Sequence, residues 1–420
     1  MGQVKKRPDF LPSPRPFCLE WMFSVSITGV SAMQAMPVSR PVRSSFAILF
    51  TLITAMFLAI ALCAPVQGQE AAQATSAAVQ PLITQAVDEA QLTTLKGNTH
   101  PLARREFDLG TAPASLPMRR MLLVLKRSRD QETALRRLLD DQQSKASPNY
   151  HKWLMPEQYG QQFGPSDSDL QTITWWLQSH GFQVGSTKGR TVLEFSGTAG
   201  QVQEAFRTTI HKYVVGGEQH WANAKDPMIP TALTPAVAGV LTLHNFIKKP
   251  AIHFSSEAIP AKLTPGKKPQ VTFPPQNGQP AVNALAPEDY AVIYNINPAY
   301  ASNIIGTGIN IAVVGRTNLS NGIFDLQDFR NVIGAGNGPG GAVNFGVTLN
   351  GPDPGDLGGS EEAEATLDST WSSSIAPGAS VGLIVSATTN TTDGIDLSEA
   401  YIIENNFADI MTESFSACEL

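Results

Sequence analysis

A segment rich in proline, lysine and glycine interrupts the chain at residues 250–283 and limits what the rest can fold into. It has no sustained hydrophobic periodicity, so it can bury little surface and stays extended and accessible to proteases. A plain spacer would have the same composition. The sequence therefore predicts two globular units joined by a linker, as expected for 420 residues. A processing site is expected within this linker.

The N-terminal residues have the pattern of an export signal. Arg40 and Arg43 precede an unbroken apolar run, Ser45–Ala64, and small residues follow up to Gly68. This predicts a signal peptide over residues 37–68, after an upstream extension at residues 1–36 and before a low-complexity segment at residues 69–96. The apolar run is just long enough to span a bilayer, so a retained membrane anchor is the alternative. We expect a secreted or periplasmic protein that meets the membrane only through this segment.

Charge is divided unevenly between the two predicted units. Residues 286–420 hold 17 acidic residues against Arg316 and Arg330, a net charge of −15, whereas the upstream residues carry a net charge of +9. Opposite charges favour packing of the two units on each other, and protonation of carboxylates would weaken it. The basic residues are not clustered with aromatic residues, so no nucleic-acid partner is expected.

The hydrophobic patterns of the two units differ. Residues 97–249 alternate strands and helices with antiparallel returns, which predicts an α+β domain of the split βαβ kind. Residues 284–420 have strand–helix–strand spacing with apolar strands, which predicts a parallel sheet covered on both faces. In this second unit, residues 334–359 are predicted to form a long loop.

The segment Glu361–Gly378 is the part of the sequence that indicates a catalytic reaction. Ser360 is expected to cap a helix there, with a buried stripe at every fourth residue, Ala363, Leu367, Trp371 and Ile375. Glu364 and Asp368 then lie one turn apart on the neighbouring face, where one of two close carboxylates tends to retain its proton. A solvated acidic helix face is the ordinary interpretation of such a pair, and only its context favours a catalytic one.

The positions of the histidines and cysteines limit which catalytic mechanisms and metal sites are possible. All seven histidines lie at residues 100–253, so no Ser-His-Asp triad can form within the acidic unit. A carboxylate would have to activate a serine hydroxyl there, which places catalysis in acidic solution. Cys418 is the single cysteine downstream of the signal segment, and no His-Glu-x-x-His pattern occurs, so neither a disulfide framework nor a zinc peptidase site is expected.

Several motifs together resemble the sedolisins, the serine-carboxyl peptidases, in their kumamolisin-type precursor form. The downstream motifs are Glu364–Asp368 (EATLD) before Ile375–Ala379 (IAPGA), and Ala408–Glu419 (ADIMTESFSACE). The upstream motifs are Ser147–Leu154 (SPNYHKWL), Tyr159, Phe163–Ser166 (FGPS), Trp176-Leu177, Gly181-Phe182, Phe195–Thr198 (FSGT) and Ala205-Phe206.

The resemblance implies a fold and a set of roles. It implies an α+β ferredoxin-like activation pro-domain at residues 97–249, followed by the N-terminal part of an α/β subtilisin-like parallel-sheet peptidase domain at residues 284–420. Glu364 would be the general base, and Asp368 would orient it. Ser414, Phe415 and Ser416 would line the substrate cleft, although Ser416 stands where the family has glycine. Protein or peptide substrates and contact between pro-domain and peptidase domain are implied as partners.

Three family features are missing from the sequence: the Ser-Gly-Thr-Ser-like turn of the nucleophile, the Ala-Gly-Asp segment of the oxyanion aspartate, and the calcium site. The family places all three further downstream, so we expect a truncated zymogen that is inactive by itself and whose calcium site lies beyond residue 420, with no metal ligands assigned within the chain. The one Ser-Gly-Thr, at residues 196–198, lies in the pro-domain. The alternative is a non-catalytic binding or inhibitory protein built from a pro-domain.

Overall fold

The structure, a computed structural model, describes residues 79–252, 271–273, 282–333 and 342–417. The predicted upstream extension, signal peptide and most of the linker lie outside the described residues. We call residues 79–247 the N-terminal body, residues 248–252 the cleft segment and the described part of residues 282–417 the C-terminal body.

The N-terminal body is built mainly from antiparallel sheet. Its strands are β1 (Leu92–Thr94), β2 (Asp108–Thr111), β3 (Pro117–Leu125), β4 (Gln183–Val184), β5 (Val192–Thr198), β6 (Ile210–Val215), β7 (Glu218–Asn223), β8 (Met228–Pro230) and β9 (Val237–Val240). They form a four-stranded sheet in the order β4-β5-β3-β9, a three-stranded sheet in the order β2-β6-β7, and the pair β1-β8.

Four helices accompany these strands: α1 (Arg129–Gln143), α2 (Pro156–Phe163), α3 (Asp167–Ser179) and α4 (Ala199–Phe206). Ser128, Ser166 and Thr198 begin α1, α3 and α4 with reciprocal capping boxes, which satisfy backbone N–H groups of the first turn. The predicted alternation of strands and helices with antiparallel returns is therefore present.

The core of the N-terminal body is aromatic. Trp176 and Phe206 meet edge to face at 5.3 Å, as do Phe182 and Phe195 at 5.2 Å, and all four are buried. Residues 79–96 belong to this body, because Asp169, fully buried, accepts hydrogen bonds from the backbone of Leu82 and Ile83. Ordered structure thus begins earlier than the predicted boundary at residue 97.

The C-terminal body is organised around a parallel sheet, as predicted. Its order is β14 (Asn344–Leu349), β15 (Ser380–Val385), β13 (Asn310–Gly315) and β16 (Ile410–Thr412), and each neighbouring pair is parallel. The helices are α5 (Pro287–Ile293), α6 (Asn297–Ala301), α7 (Gly322–Ile333), α8 (Gly359–Ile375) and α9 (Gly394–Glu404). Two short antiparallel pairs join this body to residues that precede it in the chain: β11 (Val271–Phe273) with β12 (Val282–Ala284), and β10 (Lys249–Pro250) with β17 (Phe415–Ser416).

Both faces of the parallel sheet are covered. Alternate residues of β13 point to opposite sides: Ile311 and Val313 pack in a cluster with Ala365 of α8, and Ala312 and Val314 in a cluster with Ile395 of α9. This explains the apolar strands, because a sheet packed on two sides needs hydrophobic residues at every position.

Two details predicted for the C-terminal body are wrong. The predicted loop at residues 334–359 contains β14, which pairs with β15 over its whole length although half of its side chains are polar or glycine. The buried face of α8 is not the predicted stripe: Ala365, Ser369 and Ser373 are buried, whereas Leu367 is 37% exposed. Small residues let the helix approach the sheet closely, so the larger ones lie at its flanks. Trp371, for example, packs on Tyr290 of α5 at 4.6 Å.

The start of α8 also differs from the prediction. The residue that precedes the helix is Gly358 and not Ser360, and no side chain caps the helix there. Glu361 and Glu362 still lie in its first turn, where negative charge is favourable.

Candidate active site

The candidate site lies at the edge of the parallel sheet where its strands end. Strands β13 and β16 are followed there by Arg316 and by Glu413-Ser414, and α8 and α9 begin at the same edge. Open α/β sheets bind their ligands in the crevice outside the carboxyl ends of the strands. The topology alone therefore brings the predicted residues Glu364, Asp368 and Ser414 to one place.

Glu364 is 2% exposed and contacts the cleft segment. Its Oε2 accepts a hydrogen bond from the backbone nitrogen of Ile252 at 2.5 Å. The carboxylate that the sequence singled out thus lies against a peptide nitrogen of the predicted linker.

Asp368 lies one helical turn further along α8. Its Oδ1 accepts a hydrogen bond from the Ser414 hydroxyl at 3.0 Å, whereas its buried Oδ2 has no partner among the described residues. Burial raises the pKa of Asp368 to about 6; the bond from Ser414 lowers this pKa, and the charge of Glu364 raises it. The pair of carboxylates therefore holds a proton more readily than isolated acids do.

The cleft segment adds a strand to the edge of the C-terminal body. Lys249 pairs with Ser416 and Pro250 with Phe415 in antiparallel register, and the nitrogen of Ala251 donates to the carbonyl oxygen of Ser414 at 2.8 Å. Such strand addition is a common way for a protein to hold an extended peptide. The predicted substrate residues Ser414, Phe415 and Ser416 are thus the ones that hold this segment.

An ion network beside the cleft was not predicted from the sequence. Arg316, 2% exposed, contacts Glu361 at 2.6 Å and Asp393 at 2.8 Å, and its guanidinium lies 5.2 Å from the centre of the Phe415 ring. One feature could have indicated it: Arg316 is one of only two basic residues among 17 acidic ones in residues 286–420, and it directly follows a buried strand.

A second unpredicted cluster surrounds the side chain of Lys248. Asp396 and Glu399 of α9 and Glu413 after β16 all lie within 4 Å of its ammonium nitrogen. In the sequence, the three-residue spacing of Asp396 and Glu399 on a helix was the available indication.

The bodies also meet away from this edge. Threonine side chains of the loop after β15 donate to backbone carbonyls of Arg119 and Arg120, which lie in a bulge of β3: Thr389 and Thr391 to Arg119 at 3.0 and 2.8 Å, and Thr392 to Arg120 at 2.8 Å. The predicted contact between the two units is confirmed. Most of these bonds involve backbone groups, so charge complementarity contributes locally, at Lys248.

A cavity of about 180 Å³ lies between the bodies, lined in part by Arg120, Glu194 and Glu404. Its charged groups already have partners: Arg120 pairs with Glu194, and Glu404 accepts from the turn at residues 187–189. This cavity therefore offers no chemistry comparable to that of the carboxylate pair.

Within the described ranges, no group of three or more histidine, cysteine or acidic side chains could hold a metal ion. The calcium expected from the resemblance stays a prediction about residues outside those ranges. No helix in the described part of the chain is long and apolar enough to cross a membrane.

Comparison with known proteins supports the resemblance. Residues 107–246 match the family model described as "Pro-kumamolisin, activation domain". The chain is 28% identical to xanthomonalisin of Xanthomonas sp. (strain T-22) over 208 residues, 48% of this chain and 23% of that protein. It is 24% identical to sedolisin of Pseudomonas sp. (strain 101) over 305 residues, 71% of this chain and 48% of that protein.

The family model lies within the N-terminal body, and both relatives align over more residues than that body contains. The chain spans between about a quarter and a half of the length of the curated relatives it matches. The carboxylate pair, the strand that holds the cleft segment and the activation domain occur together in one chain, and the similarity to xanthomonalisin and sedolisin supports a sedolisin-family precursor with its pro-domain.

Proposed function

We propose that the chain is the zymogen of an exported, acid-acting serine-carboxyl endopeptidase, with Glu364 as general base and Asp368 as the residue that orients it. One observation carries the proposal: the cleft segment lies as an added strand with the nitrogen of Ile252 donating to Glu364. This is how a peptide substrate would have to lie for a carboxylate to act on its amide group.

The chemistry uses one proton and one carboxylate. A serine hydroxyl attacks the carbonyl carbon of the scissile bond while Glu364 takes the hydroxyl proton, and a tetrahedral intermediate forms. When the C–N bond breaks, Glu364 returns that proton to the departing nitrogen. Water then hydrolyses the acyl-enzyme by the same proton transfers in reverse order.

Asp368 would keep Glu364 in its basic position. It lies one turn away and burial raises its pKa to about 6, so Asp368 is protonated in mildly acidic solution and adds no second negative charge beside Glu364 there. This favours acidic solution for a reaction in which Glu364 accepts and returns a proton.

The Ala251–Ile252 bond is our candidate for the processing site of the linker. The nitrogen of Ile252 is the one at Glu364, and the nitrogen of the preceding residue is held by Ser414. Ser414, Phe415 and Ser416 would hold substrate in the same way after the pro-region leaves. Because Ser416 uses its backbone in this pairing, its side chain does not prevent the contact that the family makes through glycine.

Ser414 is assigned to substrate holding and not to nucleophilic attack, because its hydroxyl donates to Asp368 and its carbonyl holds Ala251. Among the residues that the structure describes, we assign no other serine as nucleophile, and we propose that this chain by itself hydrolyses no peptide. The finer fold assignments, ferredoxin-like for the N-terminal body and subtilisin-like for the C-terminal body, the export through residues 37–68 and the dependence on calcium belong to the same proposal.

The test uses the translation product of the complete reading frame and, alongside it, the 420-residue chain. We expect the former to digest a denatured protein at about pH 4, with Glu364→Gln and Asp368→Asn each lowering kcat by about 10²–10⁴-fold. Glu362→Gln, at an exposed position of the same helix, is the matched control and should leave kcat unchanged. Full activity in Glu364→Gln would contradict the proposal.

The non-catalytic alternative makes the opposite prediction. A cleft occupied by the chain's own segment is also what an inhibitory or binding protein would show. A complete translation product that hydrolyses nothing between about pH 3 and pH 8, yet folds cooperatively, would favour that alternative.

A further inference from the structure

The side chain of Lys248 lies in an acidic pocket of the C-terminal body. Its ammonium nitrogen is 3.0 Å from Glu413, 3.2 Å from Asp396 and 3.7 Å from Glu399. Burial by itself would lower the pKa of Lys248, but the three acids raise it above its ordinary value. The pocket thus holds a charged lysine that comes from another segment of the chain.

The backbone of Lys248 is held as well. Its nitrogen donates to Oδ2 of Asp393 at 2.8 Å, and its carbonyl oxygen accepts from Nη2 of Arg316 at 2.7 Å. Arg316 and Asp393 are 2% and 5% exposed. Both backbone groups and the side chain of this residue are therefore bound at once, which is a built recognition site and more than a group of acids.

The recognition site is held together without Lys248. Arg316 is fixed by Glu361 and Asp393, and Asp393 also accepts from the nitrogen of Ile395 as the cap of α9. Asp396 and Glu399 are carried by that helix, and Glu413 follows β16. Because these elements belong to the C-terminal body, the site stays with it when the pro-region leaves.

Lys249 shows how selective the contacts are. It is the neighbouring residue, has the same side chain, and pairs with Ser416 through its backbone. Among the described residues its ammonium group forms no ion pair, and Lys249 is exposed. The acidic pocket therefore binds the side chain of Lys248, which precedes β10, and not that of Lys249, the first residue of β10.

We propose that this site is a substrate subsite that selects a basic side chain, lysine in the first place, at the fourth position N-terminal to the cleaved bond. The position follows from the register, since Lys248 lies three residues before Ala251, and it rests on the proposed function for the identity of that bond. The pro-region fills the subsite with its own lysine until it is released.

Binding of peptides tests the proposal without any need for catalysis. The host is the full chain with Lys248→Ala and Ala251→Pro, which removes the buried ammonium and one backbone donor of the cleft segment. These changes are needed because the chain's own cleft segment competes with an added peptide for the cleft. A segment on a short tether does so at an effective concentration on the order of millimolar. The probes are acetyl-Lys-Lys-Pro-Ala-amide and two analogues with norleucine at the first or the second lysine.

We expect norleucine at the first position to weaken binding at least about tenfold, measured by calorimetry, and norleucine at the second position to change it less than about twofold. Glu413→Gln together with Glu399→Gln in the host should abolish this preference. Equal affinity of the three peptides, or binding of none of them at millimolar concentration, would overturn the proposal.

If the double variant does not fold, a second measurement tests the same proposal. In the single variant Lys248→Ala, n-butylammonium at millimolar concentration should raise Tm, since it fits the space left by the lysine side chain, whereas 1-butanol should not. The variant Lys249→Ala should respond to neither. An equal response of both variants to n-butylammonium would count against a specific pocket.

The two proposals fail separately. Retained preference for lysine together with a complete translation product that hydrolyses nothing would remove the peptidase assignment and keep the subsite. Hydrolysis that depends on Glu364, with no preference for lysine, would keep the peptidase and remove the subsite.

Discussion

The backbone nitrogen of Ile252 donates to the carboxylate of Glu364, which is 112 residues away in sequence. This contact joins the first residues of the predicted linker to the helix that carries the acidic pair. It places an extended segment of the chain against the candidate site, so this segment both occupies the site and shows how a peptide could fit it.

We expect Asp368→Asn to stabilise the chain near neutral pH. The pKa of Asp368 is about 6 in the folded state and 3.8 in the reference state, so the folded state binds the proton more tightly. Stability from this group is present below about pH 4 and is lost as pH rises through about 6. After allowance for the partly exposed side chain, Asp368→Asn should raise the free energy of unfolding by on the order of 1–2 kcal/mol at pH 7 and by nearly zero at pH 3.

Urea unfolding of both proteins between pH 3 and pH 7 measures this gain. Ser398→Ala, which removes a buried hydroxyl elsewhere in the same body, should destabilise the chain by a similar amount at both pH values and serves as a control. A gain from Asp368→Asn of equal size at both ends of the pH range would show that the mutation acts by another route.

We expect a cluster of three histidines in the N-terminal body to lower the free energy of unfolding in acidic solution. His100, His220 and His244 surround Phe246, with His100 and His220 stacked on its ring at 4.2 Å. Burial, followed by the charge of His220, lowers the pKa of His100 to about 4, and burial with the charges of His100 and His220 lowers that of His244 to about 3. The unfolded state binds protons first as pH falls below about 6.5, so stability declines from there toward pH 4.

His100→Phe should reduce this acid sensitivity while keeping the stack on Phe246. We expect the loss of stability between pH 7 and pH 4 to shrink by about 1–2 kcal/mol, discounted because His100 is only partly buried. Thermal unfolding followed over that range provides the measurement, with His151→Asn at an exposed position as control. An unchanged slope of stability against pH in His100→Phe would remove the histidine explanation.

Glu404 joins the C-terminal body to a turn of the N-terminal body. Its carboxylate accepts from the hydroxyl of Thr187 at 3.0 Å and from the backbone nitrogens of Lys188 and Gly189. Glu404→Ala should cost about 1.5–3 kcal/mol, because hydrogen bonds to a charged group are lost and backbone donors are left unpaired. A urea titration checks this, and a change within error of that for Glu362→Ala would show that the contact does not contribute.

Gly394 allows α9 to begin close to the neighbouring strand. A Cβ placed there would lie 2.1 Å from the carbonyl oxygen of Ser386 and 2.8 Å from Cβ of Arg316. Gly394→Ala should therefore displace the start of α9 and with it Asp393, at a cost of about 1–3 kcal/mol. Gly346→Ala, where a Cβ meets nothing within 4 Å, is the matched control, and equal Tm values for the two variants would contradict the expected clash.

The sequence by itself determined the mixed α/β character of the chain, the parallel pairing of the strands within residues 284–420 and the spacing of the carboxylate pair. These features follow from local patterns, namely apolar strands, strand–helix–strand spacing and helical spacing. Short motifs also indicated the resemblance to the sedolisins, which the comparisons support.

Tertiary structure alone decided what surrounds the pair. The strand β14 alternates Phe345, Val347 and Leu349 with polar residues or glycine, but this short pattern lies in a segment rich in glycine, proline and asparagine, and only the pairing with β15 shows that it forms a strand. Which face of α8 is buried depended on how closely a helix of small residues can approach the sheet, and that distance is not written in its periodicity. The pocket of Lys248 combines acids of α9 and the glutamate after β16 with the first residue of the cleft segment. No local pattern connects these residues, and only tertiary packing brings them within a few ångströms.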